Sequence, residues 1–244
     1  MAFTEQERAR LAERAAEIIA RYPKPRSALL PLLHLVQATE GFVSTDGIAF
    51  CADQLALSEA DVTGVVSFYT MYKRRPVGEY HVGVCTNTLC AIMGGDTIHA
   101  ELRDHLGVEG DRPTADGKIS LERVECNAAC DYAPVMMVNW EFFDNMTPES
   151  ARELVDGLRA GADIAPARGA SRLVTWREAA MILAGYPDDQ ATTGHTAAPP
   201  TLAGLRIAKE NGWTSGTPGT ARRAAGNETE SAAGSTGPGN GGRQ

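Results

Sequence analysis

The chain has 244 residues, enough for one or two domains with a proper core, and its 31 acidic and 23 basic side chains leave a net charge of −8. That balance, with no extended basic patch or long Lys/Arg run, argues against nucleic acid or an anionic membrane as a partner. No run of about 18 apolar residues could span a bilayer, and the polar start, Met1 to Arg10, lacks the apolar core of a signal peptide, so the expected compartment is the cytoplasm.

Four helical stretches come first. Thr4 and Glu7 form a capping-box pattern ahead of Leu11, Ala15, Ile18 and Ile19, which recur at helical spacing until Pro23 and Pro25 stop the run. A second helix is expected from about Ser27 toward Glu40, with Pro31 near its first turn and Gly41 as its stop. Asp46 and Ser58 read as N-caps of two shorter helices, Ser58 with Asp61 three residues on. Residues 1–76 thus read as an N-terminal helical bundle.

From Gly78 the period changes. Tyr80, Val82 and Val84 alternate with His81 and Gly83 in a strand ending at Cys85. Met93 to Leu106 reads as one helix stopped by Gly107. Lys118 to Glu125 is a second strand running into a cysteine, and Val135 to Val138 pairs with Glu141 to Asp144 as a hairpin. Thr147 caps a last helix with Pro148 at its first position and Leu154, Val155 and Leu158 on its inner face. Residues 77–162 therefore form an α/β layered domain, and the chain as a whole is α+β. Residues 163–244 read as a flexible extension, since 211–244 are rich in Gly, Ser, Thr, Asn and Pro. Two apolar islands in it, Leu173 to Leu183 and Thr201 to Trp213, are read as docking elements or poorly packed appendages, docking being favoured because short isolated helices are marginal in water.

The chemistry lies in Cys85-x4-Cys90 and Cys126-x3-Cys130. Each pair sits where a strand runs into a loop, so all four sulfurs can project from one end of the sheet. On spacing, three readings stay open: a [2Fe–2S] cluster on four thiolates, a structural zinc site, and disulfides or core thiols. The plant-type C-x4-C-x2-C spacing is absent. A [2Fe–2S] cluster on four thiolates is a dianion that becomes a trianion on reduction, so it needs N–H donors and a dry pocket. Gly94, Gly95, Ala128 and Ala129 are small enough to let the backbone approach the sulfurs. No Lys or Arg lies between either pair, and Glu125 and Asp131 flank the second, so a low reduction potential is expected.

The remaining candidates read as structural. Cys51 is a buried helix residue. His34, His81, His99, His105 and His195 are scattered, and none is assigned to catalysis. Phe68, Tyr69, Tyr72 and Trp140 read as core aromatics, and Met136 and Met137 as part of the apolar shell around the sulfurs. No Ser-His-Asp or Cys-His nucleophile is supported.

Cys85-x4-Cys90-x3-Gly94, then Cys126-x3-Cys130 followed by Ala133-Pro134-Val135-Met136-Met137-Val138-Asn139, resembles the thioredoxin-like [2Fe–2S] ferredoxins. Within them the chain is similar to the small iron–sulfur subunits of NADH-quinone oxidoreductase, respiratory complex I. Gly64-Val65-Val66-Ser67-Phe68-Tyr69-Thr70-Met71-Tyr72 and Leu29-Leu30-Pro31-Leu32-Leu33 carry the likeness into the bundle, so it covers residues of about 1–160. The resemblance implies a thioredoxin-like domain holding one [2Fe–2S] cluster on Cys85, Cys90, Cys126 and Cys130. It further implies a one-electron carrier near the FMN of a flavin- and NADH-binding partner subunit, with further complex I subunits around it. This chain has no GxGxxG fingerprint and no P-loop, so FMN and NADH are expected only on the partner, and no complete active site is expected here. The expected location is cytoplasmic, peripheral to the inner face of the cell membrane through the complex, with no direct membrane insertion. The equivalent subunit of an NAD-linked hydrogenase or formate dehydrogenase is one alternative, and a zinc-stabilised interaction module is another. The chain departs from the family in its second ligand loop, Asn127-Ala128-Ala129, where many relatives carry glycine.

Overall fold

The computed structural model describes residues 3–110, 112–189, 194 and 197–214. Of the tail expected over 211–244, residues 215–244 lie outside the described residues, as does His195. The chain divides into two units, residues 1–200 and 201–244.

The first unit opens with the bundle. Helix α1 (Glu5–Ile19) starts at the Thr4/Glu7 capping box and buries Leu11, Ala15 and Ile18. A 3-10 turn (Pro25–Ala28) leads into α2 (Leu29–Glu40), which ends at Gly41 in the left-handed region, φ +88°. Helix α3 (Thr45–Leu55) is capped by Ser44, whose hydroxyl accepts from the Gly47 N–H at 3.0 Å. Asp46, expected as that cap, lies instead in the first turn, where its charge suits the helix dipole. Helix α4 (Glu59–Phe68) is capped by Ser58 as expected. Leu32, Leu33, Leu35, Phe50 and Val62 are fully buried among these helices. Buried Gln37 pins the chain that leaves α4: its Nε2 donates to the Met71 carbonyl at 3.1 Å, and its Oε1 accepts from the Lys73 N–H at 2.8 Å.

A four-stranded sheet follows. Strand β1 (Tyr80–Cys85) leads to α5 (Thr88–Ile92) and α6 (Gly95–Leu106), then β2 (Ile119–Val124), β3 (Met136–Val138), β4 (Glu141–Phe143) and α7 (Pro148–Ala160). The order is β2-β1-β3-β4, with β1 and β2 parallel and the remaining pairs antiparallel. Register puts Cys85 opposite Val124, so the cysteine end of β1 and the exit of β2 coincide. Val82 and Val84 share a core with Ile98 and Leu102 of α6 and Val155 and Leu158 of α7. Because side chains alternate along a strand, His81 faces the other way, where it meets the rings of Trp140 and Trp176, each at 5.3 Å between centroids. His81 is buried too, so β1 is covered on both faces rather than on one. The helix expected over Met93–Leu106 is α6, which starts at Gly95 because Gly94 adopts φ +114°, and the short α5 ahead of it is an addition to the sequence reading.

Residues 163–189, expected as part of a flexible extension, are held to the body. The Ala167 N–H donates to the Phe142 carbonyl at 2.8 Å, and the Trp176 N–H to the Glu79 carbonyl at 2.8 Å. Helix α8 (Trp176–Leu183) buries Trp176, Ala179 and Ala180. Trp176 Nε1 donates to the Gly41 carbonyl at 2.7 Å, and Arg177 donates to the carbonyls of Thr39 and Glu40. These are the free carbonyls at the C-terminus of α2, and they receive both donors and a cation from α8.

Helix α9 (Pro199–Glu210) buries none of its residues, and its Leu202, Leu205 and Ile207 are exposed. Among the described residues no helix is long and apolar enough to cross a membrane.

Candidate metal centre

Both cysteine pairs arrive at one end of the sheet. Strand β1 delivers Cys85, buried, with its N–H donating to the Val135 carbonyl at 3.1 Å. Asn87 then caps α5 by accepting from the Thr88 N–H at 3.0 Å, and its amide reaches across to Glu125 at 3.0 Å, tying the first cysteine loop to the second. Helix α5 turns Cys90 inward, to 3% exposure, while leaving Leu89, Ile92 and Met93 in solvent. Gly95 seats α6 against this loop. A Cβ there would lie 2.4 Å from the Cys85 carbonyl oxygen and 2.9 Å from that of Cys90, so no other residue fits without displacing the backbone of these cysteines.

The second loop leaves β2 at Val124. Ala128 holds φ +53°, in the left-handed region, and its N–H donates to Cys126 Sγ at 3.4 Å. Cys130 opens a 3-10 turn (Cys130–Tyr132), and its sulfur lies 3.9 Å from that of Cys126. Cys126 and Cys130 are exposed, whereas Cys85 and Cys90 pack with Ala129, Tyr132, Ala133 and Val135.

The sulfurs perturb one another. Burial pushes the Cys90 thiol up to about 11, and the proximity of Cys85 and Cys130 adds to the rise. The Cys130 thiol is also raised, first by its hydrogen bond with Cys126 and then by the charges of Cys126 and Cys85. Four thiolates at such close quarters need a cation to balance them, and metal binding is what drives off the protons. Among the described residues no three His, Cys, Asp or Glu side chains are gathered around a single point for one ion. Cys126 lies beside Cys130 and Cys85 beside Cys90, and a [2Fe–2S] cluster takes its four thiolates two to each iron. A further feature fits an anionic sulfur-rich group: Asn127 Nδ2, inside the second loop, is buried with no hydrogen-bond partner in the protein. The residues present fit a [2Fe–2S] cluster.

The other candidates fall elsewhere. Cys51 lies in the bundle core, its thiol pushed up to about 12 by burial. Phe68 and Tyr69, expected in the core, are exposed at 78% and 43%, while Tyr72 is buried with its hydroxyl on the Leu30 carbonyl. Met136 packs in the sheet core rather than around the sulfurs, because its position on β3 points it at α6 and α7. His81 is hydrogen-bonded to Glu122, and His105 to Asp156. Two features lie outside the sequence reading, the first although its three consecutive basic residues are visible there. The short basic run Lys73-Arg74-Arg75 lines a cavity of about 320 Å³ that also touches His81 and Glu122. Arg168 stacks over the rings of Tyr132 and Phe142, at 5.0 and 4.0 Å, and pairs with Asp144 at 3.0 Å, so its charge near the sulfur pocket is balanced.

The description "Thioredoxin-like [2Fe-2S] ferredoxin" belongs to the family model that matches residues 15–159. The E subunit of the NADH-quinone oxidoreductase of Mycobacterium tuberculosis (strain ATCC 25618 / H37Rv) is 61% identical over 204 residues, 83% of this chain and 81% of that protein. The protein of the same name from Rickettsia bellii is 38% identical over 148 residues, 59% of this chain and 89% of that one. Among solved structures, an NAD+-reducing [NiFe]-hydrogenase in the air-oxidized state aligns over 55% of this chain and 23% of its own, at 17% identity and a TM-score of 0.49. On the family model and the extent of identity to these relatives, the chain belongs to the thioredoxin-like [2Fe-2S] ferredoxin family and, within it, to the E subunits of NADH-quinone oxidoreductase.

Proposed function

We propose that this chain is the electron-transfer subunit of the NADH-oxidising module of an NADH-quinone oxidoreductase, holding one [2Fe–2S] cluster through Cys85, Cys90, Cys126 and Cys130. The observation that carries the site is the convergence of the two cysteine pairs at the exits of neighbouring parallel strands. When bound, such a cluster accepts and releases one electron. The chain's own residues supply the conditions for it. Cys85 and Cys90 enter from the buried side, and Ala129, Tyr132 and Val135 keep that side dry. The Ala128 N–H donates to a ligand sulfur, and Asn87 holds the two loops in mutual register.

The exposed side of the site, at Cys126 and Cys130, is the side we assign to electron exchange with a flavin- and NADH-binding partner subunit. The name these relatives carry favours the quinone-linked complex over an NAD-linked hydrogenase or formate dehydrogenase. The bundle over 1–76 and the ferredoxin domain over 77–162 are proposed as its two functional parts, and α9 as a docking segment. The complex would hold the chain at the cytoplasmic face of the membrane.

Replacing Cys126 with Ser tests the ligand assignment. The variant should lose most of its iron and the EPR signal of the reduced protein. Iron content and signal equal to those of the unaltered chain would reject Cys126 as a ligand.

A further inference from the structure

Asn127 is the one residue of the ligand loops whose polar atoms the fold leaves unexplained. It lies between Cys126 and Cys130, half-buried, and its Nδ2 is shielded from water without any acceptor in the protein. Buried amide donors are seldom left unpaired, and such a group in a native structure calls for a specific acceptor. Asn87 and Asn139 have theirs. Asn87 Nδ2 donates to Glu125 at 3.0 Å, and Asn139 Nδ2 donates to the Val174 carbonyl at 2.8 Å. The loop around Asn127 is already turned toward sulfur, since the neighbouring Ala128 N–H donates to Cys126 Sγ at 3.4 Å.

We infer that Asn127 donates a side-chain hydrogen bond from Nδ2 to a sulfur of the cluster held by this loop, and thereby raises its reduction potential. The inference rests on the cluster assignment proposed above. Its sign follows from charge. The reduced cluster carries one more negative charge than the oxidised one, so a donor stabilises the reduced form more, and the midpoint moves upward. No Lys or Arg lies within either cysteine pair to do this, so the loop offsets the added charge with neutral donors, the Ala128 N–H and the Asn127 amide.

The test uses the full-length chain with its cluster assembled, unaltered and as Asn127→Leu, which keeps the bulk and removes the donor. Iron and acid-labile sulfide are measured first, then the midpoint by EPR-monitored redox titration. The variant should retain its iron, while its reduced-to-oxidised ratio at a fixed ambient potential falls about threefold to tenfold, tenfold being 59 mV for one electron. Pulsed EPR on protein carrying nitrogen-15 in the asparagine side-chain amide should show a coupling to the reduced cluster that disappears in N127L. Should N127L fail to hold iron, Asn127→Ala carries the same two measurements. An unchanged midpoint, or a nitrogen coupling that survives the substitution, overturns the role of Asn127 and leaves the cluster assignment standing. An unaltered chain that binds no iron overturns both.

Discussion

At Ala128 the backbone holds a φ of +53°, a conformation that costs an L-residue roughly 1–2 kcal/mol relative to glycine. Glycine would relieve that strain but lose more entropy on folding, about 0.5–1 kcal/mol. Ala128→Gly should therefore stabilise the chain by a net of about 0.5 kcal/mol with its iron content unchanged, and a lowered urea midpoint would contradict this account of the loop. Gly95 is the opposite case. Its missing Cβ leaves room for the carbonyls of Cys85 and Cys90, so Gly95→Ala should cost about 1–3 kcal/mol by overpacking and lower the iron bound per chain. Full iron occupancy in G95A would show that α6 can shift without moving the ligands. At this scale the pairing of the cysteines is legible in the sequence, because spacing within a loop is a local property. The need for small residues is legible too. The orphaned amide of Asn127 is not, since whether a polar atom finds a partner depends on every segment that folds over it.

Elements are legible where their signals are local. The caps at Thr4, Ser58 and Thr147, the stops at Gly41 and Gly161, and the β3–β4 hairpin all stand where turn and cap chemistry put them. The separate short helix α5 and the start of α6 at Gly95 rather than Met93 are not legible, because the φ of Gly94 that divides them is not known from a glycine in a periodic run. Helix α8 shows a different limit. Its apolar face is visible in the sequence, but its partner is not, because the Gly41 carbonyl that receives Trp176 Nε1 lies 135 residues away. Trp176 is 1% exposed and joins the C-terminus of α2 to the ring cluster of His81 and Trp140. Trp176→Ala should cost about 3–5 kcal/mol. A loss below about 1 kcal/mol in chemical denaturation would mean that residues 163–189 contribute little to the fold.

On the scale of the whole molecule, buried histidines set an acid limit on stability. Burial lowers the pKa of His34 to about 4 from its ordinary 6.5, and its Nδ1 has no partner that would favour a proton. The folded state thus prefers the neutral ring. Its contribution is complete above pH 6.5 and is lost as pH falls from there toward about 4. His81 is shifted in the same direction, by burial above all. The urea midpoint should therefore fall between about pH 7 and pH 5, and His34→Gln should shrink that fall. An equal pH dependence in both proteins would remove His34 from the explanation. The bundle-plus-ferredoxin architecture is legible because residues 1–160 carry period and motif together, whereas the anchoring of 163–189 depends on long-range contacts that no local pattern encodes.

The account turns on iron at the four sulfurs, and low-temperature EPR of the dithionite-reduced, anaerobically purified chain, with iron and sulfide assayed on the same sample, tests that most directly. The prediction is a single spin-half signal accompanied by about two irons and two sulfides per chain. A colourless protein that carries zinc in place of iron and gives no signal on reduction would contradict it.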